Sequence, residues 1–356
     1  MSVCLKMGKT NWFVIIGVIG LTFFSISVRR GGDDLNHEQL FNEYITKFNK
    51  TYTSNKTEYY IRMENFKQSL RLIEELNKNR TSNSSALYGL TVYADMSQDE
   101  FKEMKLQTNR TSPKTKENLK NQRHGYKFSR NDVRYKRGSK LPAVIDWRKK
   151  NVVGSVHNQK TCGACWAFSA IETVESMYSL KNRTFVSLSV QEAIDCAKDG
   201  NYGCEGGDAC SLLFWLVTTR TKLTTEKAYP FAYHTQECKQ IPKVGVEVES
   251  YTCDEFIGSE DLLLQKLAYH GPVAAAVNAL NWQYYLGGII QFHCSGAPKD
   301  MNHAVQIVGY DRTGPVPYYI IRNSWGTEFG DDGYLYIAVG GNVCGIANTV
   351  TSVDVL

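Results

Sequence analysis

Hydrophobic and polar positions divide the chain into stretches of different pattern. Residues Trp12 to Val28 form an apolar run of 17, with Lys6 and Lys9 ahead of it. A basic approach, an apolar stretch of this length and small residues at Ser25 and Ser27 predict a cleaved secretory signal over residues 1–28. The alternative is an uncleaved anchor, because about 20 apolar residues span a bilayer. Further on, Glu58, Arg62, Phe66, Ser69, Ile73 and Asn77 follow one another at three- or four-residue steps, without an intervening Gly or Pro. That spacing keeps them near one helical face, and helices are predicted over about residues 35–105. Residues 106–140 are polar, with Lys and Arg recurring from Arg110 to Lys140 against only Glu117 and Asp132. This predicts an extended linker open to processing.

From Leu141 the pattern changes again. An apolar helical stretch follows Cys165, from Trp166 to Tyr178. Beyond about residue 244 the apolar segments are short and separated by Gly, Pro and Asn: Val273–Val277, His303–Gly309 and Tyr318–Arg322. Such segments predict the strands of a β-barrel-like domain. Helices first and strands second predict an α+β fold of two lobes, preceded by a helical segment.

Composition refines this picture in three ways. Hydrophobic residues make up 42% and charged residues 22%, which excludes wholesale disorder. The net charge of +5 is the sum of unlike parts. Residues 141–356 hold 16 Lys+Arg and 22 Asp+Glu, a net −6, so residues 1–140 carry +11. The basic charge lies outside the larger domain, and no nucleic-acid partner is expected. Asn49, Asn55, Asn79, Asn83, Asn109 and Asn182 each head an Asn-x-Ser/Thr triplet, the glycan acceptor pattern of secreted proteins. Of the ten cysteines, Cys4 falls in the signal and the other nine lie between Cys162 and Cys344. In an oxidising compartment an odd number leaves one thiol outside the disulfides.

The candidate chemistry sits in Gln159-Lys-Thr-Cys162-Gly-Ala-Cys165-Trp166. Cys165 opens the apolar helix, where the positive end of the helix dipole favours thiolate, the nucleophilic form. A Cys-x-x-Cys pair has three readings. It can be a redox dithiol, a half zinc site, or a nucleophile beside a structural cysteine. A zinc site asks for a second such pair or matched histidines, and neither appears, so no metal and no cofactor are expected. A nucleophile asks for a histidine and an orienting amide downstream. Asn302-His303-Ala304 and Arg322-Asn323-Ser-Trp325-Gly326 supply both.

Here the chain resembles the papain-like cysteine proteases, the cathepsin family. Cys-Gly-Ala-Cys-Trp, His303, the Asn-Ser-Trp-Gly run and Gly203-Cys204-Glu-Gly206-Gly207 carry the resemblance through the larger domain. Glu58, Arg62, Phe66, Ile73 and Asn77 resemble the ERFNIN helix of the family's inhibitory proregion, with Ser69 in place of its first Asn. Gly89, Tyr93 and Asp95 resemble its GNFD motif. Leu141-Pro-Ala-Val-Ile-Asp-Trp-Arg148 is similar to a mature N-terminus. Residues 29–140 would then be the proregion and 141–356 the peptidase. Tyr285–Gln291, Asn201–Cys204 and Asn342–Ala347 are similar to one particular member of the family.

The resemblance implies roles. Cys165 would attack the scissile carbonyl, His303 would act as its acid and base, and Asn323 would orient the imidazole. Gln159 and the Cys165 N–H would form the oxyanion hole, with Trp325 shielding the His–Asn bond. Gly206 and Gly207 would let substrate backbone approach closely. Asp208, Ala209, Ala276, Ala304 and Thr349 would line a roomy pocket for a bulky apolar side chain, with Asp208 at its rim. The family pairs Cys162 with Cys204, Cys196 with Cys238 and Cys294 with Cys344, leaving Cys165 as the thiol. Cys210 and Cys253 fall outside those pairs and are expected to join each other and tie the lobes at the cleft edge. The implied partners are polypeptide substrates, the chain's own proregion and cystatin-type inhibitors. A monomer in the lysosome or outside the cell is expected, with no stable membrane insertion once the signal is gone. No insertion like an occluding loop interrupts Cys204–Cys238, which favours an endopeptidase. The alternatives are a catalytically silent binding or storage homologue and a thiol–disulfide oxidoreductase using Cys162 and Cys165. The opposite charges of the two parts, +9 on residues 29–140 and −6 on the rest, predict that charge attraction helps dock the proregion and that acid and salt weaken it.

Overall fold

The computed structural model describes residues 33–78, 80–106, 140–239 and 244–356. The signal, the triplets at Asn79 and Asn109, and the basic linker from 107 to 139 lie outside the described residues. Helix α1 (Asp33–Lys47) belongs to a unit of its own that ends at Thr51. Within that unit Tyr44 stacks with Phe41 at 6.2 Å and packs on Phe48 at 4.8 Å.

The second unit runs from Tyr52 to the C-terminus. Helix α2 (Lys56–Lys78) buries Met63, Phe66, Ser69 and Leu76 along one side. Its polar motif positions work as anchors. Arg62 donates to Glu100 at 2.6 Å and to the Asp95 carbonyl at 3.3 Å. Asn77 brackets Tyr88, donating to its carbonyl at 2.8 Å and accepting its N–H at 3.1 Å. Strand β1 (Leu87–Tyr88) follows, then α3 (Gln98–Lys105), capped by the Ser97 hydroxyl accepting from the Glu100 N–H. The all-helical expectation for residues 35–105 is therefore corrected at β1. A two-residue strand shows no periodicity, and its partner lies some two hundred residues away.

In the larger domain β2 (Val144–Asp146) precedes α4 (Cys165–Asn182), α5 (Val190–Cys196) and α6 (Ala209–Thr219). Strands β3 (Lys222–Leu223) and β4 (Val246–Asp254), helix α7 (Glu260–Tyr269) and strands β5 (Val273–Val277), β6 (Tyr285–Gly287) and β7 (Ile289–Ile290) come next. The chain closes with β8 (His303–Asp311), β9 (Tyr318–Arg322), β10 (Tyr334–Ala338) and β11 (Val350–Val355). The main sheet runs β3-β4-β11-β5-β8-β9-β10-β7, with β2 also paired to β8, and β1 pairs antiparallel with β6. The α+β architecture places helices in one lobe and the sheet mostly in the other.

Two apolar cores follow from this arrangement. One surrounds α4 and takes in Leu212, Leu213, Leu216, Val246, Val248 and Val353. Helix α4 is buried on nearly every side, so its apolar residues fall all around it and not in a stripe. The other core fills the sheet lobe with Ile307, Ile321, Leu335, Ile337 and Val350, and it also receives Tyr88, Phe101 and Leu106. Within the second unit, the segment from α2 to Leu106 thus completes the core of the sheet lobe.

The contacts that join residues 80–106 to the larger domain are mostly neutral. Thr91 donates to the Gln283 carbonyl, and Gln283 Nε2 donates to the carbonyls of Tyr93 and Met96 at 2.9 and 3.0 Å. Gln291 donates to Ser85 at 3.0 Å. Among the described residues each ion pair lies within residues 58–102 or within 146–354, and none crosses between the two parts. Apolar burial and backbone hydrogen bonds carry the described contacts, while the basic residues of 107–139, on which the expected charge attraction falls, lie outside the described residues.

Candidate active site

The site is assembled from three segments that come together where the lobes meet. The first is the start of α4. Ala164 precedes the helix without a side-chain cap, its carbonyl accepting from Ala167 N and Phe168 N, and Cys165 is the first helical residue, at the positive end of the helix dipole. The loop before it is pinned by the Cys162–Cys204 disulfide and by Gly163 N donating to the Cys204 carbonyl at 2.7 Å. A Cβ at Gly163 would lie 2.7 Å from that carbonyl oxygen, so only glycine allows the approach.

The second and third segments are neighbouring strands. His303 opens β8, and Asn323 follows the last residue of β9. The antiparallel register, with Gln306 opposite Arg322, brings both to one end of the pair. His303 Nε2 and Asn323 Oδ1 are 2.8 Å apart. Trp325 lies over the imidazole, ring centroids 4.9 Å apart, and Trp282 meets it edge-on at 5.8 Å. Both indoles are buried, so the His303–Asn323 bond is kept from water.

Gln159 is fully buried, and its amide is held from both ends. The Ser324 hydroxyl donates to Gln159 Oε1 at 2.6 Å. Gln159 Nε2 donates to the carbonyls of Cys162 at 3.1 Å and Lys105 at 3.3 Å. Ser324 and Trp282 were not singled out from the sequence. Ser324 had a signal, its place inside the Asn-Ser-Trp-Gly run; Trp282 had none.

The segment ending α3 covers the site. Phe101 stands edge-on to Trp325 at 5.5 Å, and Tyr93 meets the same ring at 6.4 Å. Lys105 is buried, with Nζ donating to the Lys160 carbonyl at 2.9 Å and lying 5.3 Å from the Tyr93 ring centre. Burial and the nearby Lys160 cation push the Lys105 pKa down to about 8. His303 is pushed down to about 4, first by burial, with the Asn323 bond opposing and the Lys105 cation adding to the fall. Under this cover the imidazole is neutral at ordinary pH.

The remaining predicted residues fall into two groups. Ala276 on β5 pairs with Ala304 on β8, and Ala276 N donates to the Thr349 carbonyl at 3.0 Å, so these three lie together. Asp208 and Ala209 sit at the start of α6. There Asp208 Oδ1 accepts from Ser211 N at 2.8 Å and from its hydroxyl at 3.1 Å, which commits that oxygen to the helix cap. Gly206 has φ of +121°, a region closed to other residues. A Cβ on Gly207 would meet the Trp166 ring at 2.6 Å. Both glycines therefore serve the fold, and the Gly206 backbone is engaged in it, accepting from Tyr202 N at 2.8 Å and donating to the Gly203 carbonyl at 3.4 Å.

The structure contains the disulfides Cys162–Cys204, Cys196–Cys238, Cys210–Cys253 and Cys294–Cys344, and Cys165 is in none of them. With Cys162 bonded to Cys204, a Cys162–Cys165 redox pair has lost its partner. Cys210–Cys253 fastens the first turn of α6 to β4, a strand that reaches from one core toward the other. Replacing both cysteines by serine is expected to lower stability by about 2–4 kcal/mol while peptide cleavage persists. Thermal unfolding measures this, and an unchanged melting temperature would show that the bridge adds nothing. Asn49, Asn55, Asn83 and Asn182 are exposed, as glycan acceptors must be. Among the described residues no cluster could hold a metal ion, and no helix is long and apolar enough to cross a membrane.

Comparison with known proteins follows the same division of the chain. The model of the papain family cysteine proteases matches residues 141–353, and that of the cathepsin propeptide inhibitor domain matches residues 41–101. The chain is 40% identical to human cathepsin O over 294 residues, covering 79% of this chain and 86% of that protein. Mouse cathepsin O is 39% identical over 81% of this chain and 88% of its own. Cathepsin O is the member that the stretches around Tyr285, Asn201 and Asn342 resemble. A digestive procathepsin L2 from Tenebrio molitor larval midgut superimposes with a TM-score of 0.76 at 28% identity, over 89% of this chain and 99% of that one. A recombinant stem bromelain precursor gives 0.73 at 29% identity, over 90% and 99%.

Proposed function

The chain belongs to the papain family of cysteine proteases and carries the family's propeptide, and on that premise we propose how it works. The signal over residues 1–28 is removed, residues 29–140 form the inhibitory proregion, and residues 141–356 are the mature endopeptidase. In the mature enzyme Cys165 and His303 form a thiolate–imidazolium pair. The thiolate adds to the scissile carbonyl, and the Gln159 side chain and the Cys165 N–H stabilise the oxyanion. The imidazolium gives its proton to the departing amine, leaving an acyl group on sulfur. Water then attacks the acyl group as His303 takes its proton, and the thiolate leaves.

The observation that carries this reading is the 2.8 Å His303–Asn323 bond, with His303 opening a strand that packs against the helix opened by Cys165, the one cysteine of the larger domain outside the disulfides. Two further features support it. Trp325 covers the bond, and the Gln159 amide already binds a peptide carbonyl, that of Lys105. In the precursor that carbonyl occupies the donor a substrate would need, while Lys105 and burial keep His303 neutral. The proregion therefore inhibits by filling the site and by suppressing the ion pair. The compartment that fits is an acidic one on the secretory route, with lysosomal and extracellular destinations both open to this chemistry. Mostly small pocket walls at Ala276 and Ala304 favour a bulky apolar side chain two residues before the cleaved bond.

The test is active-site labelling with a thiol-directed epoxide. After acid exposure the mature chain is expected to take up one equivalent at Cys165, whereas the precursor at neutral pH, with Cys165 buried, takes up little. Label on another cysteine, or none after acid exposure, would overturn the proposal.

A further inference from the structure

Behind the site, the segments that carry Gln159, Cys165 and Asn323 meet at one buried carboxylate. Glu172 lies two turns along α4 from Cys165 and is only 2% exposed. Its Oε1 is 3.3 Å from Arg322 Nη2 and 3.1 Å from His157 Nδ1. Arg322 is fully buried, ends β9 and immediately precedes Asn323. His157 is two residues before Gln159.

The links extend on each side. Arg322 Nη1 donates to Gln306 Oε1 at 3.2 Å, and Nη2 donates to the Ser155 carbonyl. Gln306 Nε2 donates back to the Glu172 carbonyl and to the Ser176 hydroxyl, each at 2.9 Å. Gly326 N donates to the His157 carbonyl at 2.9 Å, and Gln159 N to the Ser324 carbonyl at 2.8 Å. One carboxylate on α4 therefore holds the residue next to Asn323 and the segment that presents Gln159.

We propose that Glu172 and His157 are positioning residues, which hold Gln159 and Asn323 in register with Cys165, and that His157 does so as an imidazolium. The proposal rests on the Cys165–His303–Asn323 reading above. His157 Nδ1 faces two partners, the Glu172 carboxylate and Arg322 Nη2 at 3.3 Å. A carboxylate can only accept, so in the shorter contact Nδ1 carries a proton and gives it to Glu172, and the longer approach of Arg322 Nη2, itself only a donor, is then not a hydrogen bond. The second proton, on Nε2, adds the charge that strengthens this bond.

The charged surroundings decide when that charge is present. Glu172 and Glu175 on α4, Arg322 on β9 and Glu226 in the segment after β3 all face His157. Tyr334 on β10 faces Glu172 and Arg322. The His157 pKa is raised, burial opposing and the Glu172 bond and charge prevailing. A raised histidine contributes stability that is complete below about pH 6.5 and is lost as pH rises through the raised value. Burial also raises Glu175, to about 7. A raised carboxyl likewise stabilises below its ordinary value and loses that contribution as pH rises toward 7. His157 makes the clamp tightest in acid, and Glu175, outside the clamp, adds to the stability of the fold over the same range.

The experiment compares the mature enzyme with its His157→Lys and His157→Gln variants from pH 4 to pH 8, reading kcat and KM separately. Lysine keeps a fixed positive charge, so its kcat should hold to higher pH, moving the alkaline limb upward by about one unit or more. Glutamine keeps a donor without charge and should lose about tenfold in kcat at pH 5, with KM within twofold, since small misplacement of reacting groups is costly. A lysine profile superimposed on the wild type, or a glutamine variant equal to it at pH 5, overturns the proposal. If the variants do not fold, the wild type still decides. The melting temperature of the epoxide-inhibited mature enzyme should fall from pH 5 to pH 8, and a flat or rising profile overturns the clamp. Cys165→Ala separates the two layers: an active alanine variant sinks the catalytic reading itself, whereas an inactive one with unmoved His157 profiles sinks only the clamp.

Discussion

Alanine at Cys165 is expected to give a precursor that folds, keeps its proregion docked and does not cleave peptide, with kcat lower by about six orders of magnitude. Loss of a catalytic nucleophile reaches that scale because His303, Asn323 and Gln159 act on the bond that the nucleophile makes. What remains is binding and the oxyanion donor, about 10³–10⁴ over water. Folding should survive because the change removes one sulfur atom at the first residue of α4, leaving its loop pinned by Cys162–Cys204 and its core contacts intact. The measurement is self-processing after acid exposure together with cleavage of a peptide substrate. If the variant processed itself and cleaved as the wild type does, the nucleophile would be elsewhere.

The second large effect concerns release of the proregion. In the precursor His303 has a pKa of about 4, against an ordinary value near 6.5. A base depressed in this way favours the docked state fully above 6.5, and that advantage is lost as pH falls toward 4. Each unit over this range costs about 1.4 kcal/mol, so about 300-fold is the upper bound on the weakening of docking between pH 6.5 and pH 4, because Trp325 and Trp282 bury His303 from the peptidase side as well. Lys105 does not share in this. Its pKa of about 8 leaves it protonated below that pH whether docked or free, so its burial is a constant cost across the acid range. The measurement uses the Cys165→Ala precursor nicked in the 107–139 segment, following retention of the proregion from pH 7 to pH 4. His303→Gln in the same background should flatten the profile. Retention that tracks ionic strength and ignores His303→Gln would return the effect to charge attraction between the two parts.

These two expectations draw on the sequence to different degrees. Cys165, His303 and Asn323 were legible because the chemistry needs particular residue types inside short motifs, and a motif survives in one dimension. The same holds for Gln159, a few residues before its cysteine, and for the helix carrying Arg62, Phe66 and Asn77. The covering role of Lys105 had no such signal. It lies at the end of a short helix in a polar stretch, and nothing local marks it as buried. The two-residue strand β1 escaped for the same reason, since its hydrogen bonds belong to β6. Asp208, expected at the pocket rim, also caps α6, a local role that its place just before a helix of apolar residues permits.

The sequence by itself determined the family, the α+β architecture, the order of proregion before peptidase and the residue types that could do the chemistry. All of these reside in spacing, period and composition, which the linear chain preserves. Tertiary structure alone decided which groups share a low-dielectric space. It put Lys105 on Gln159 and drove His303 toward 4 by burying it. It joined the neighbours of Gln159 and Asn323 through Glu172, and it seated Phe101 and Leu106 in the core of the sheet lobe. Burial and long-range contact are properties of the folded volume, where residues 50 to 200 positions apart become neighbours, and no local pattern encodes them.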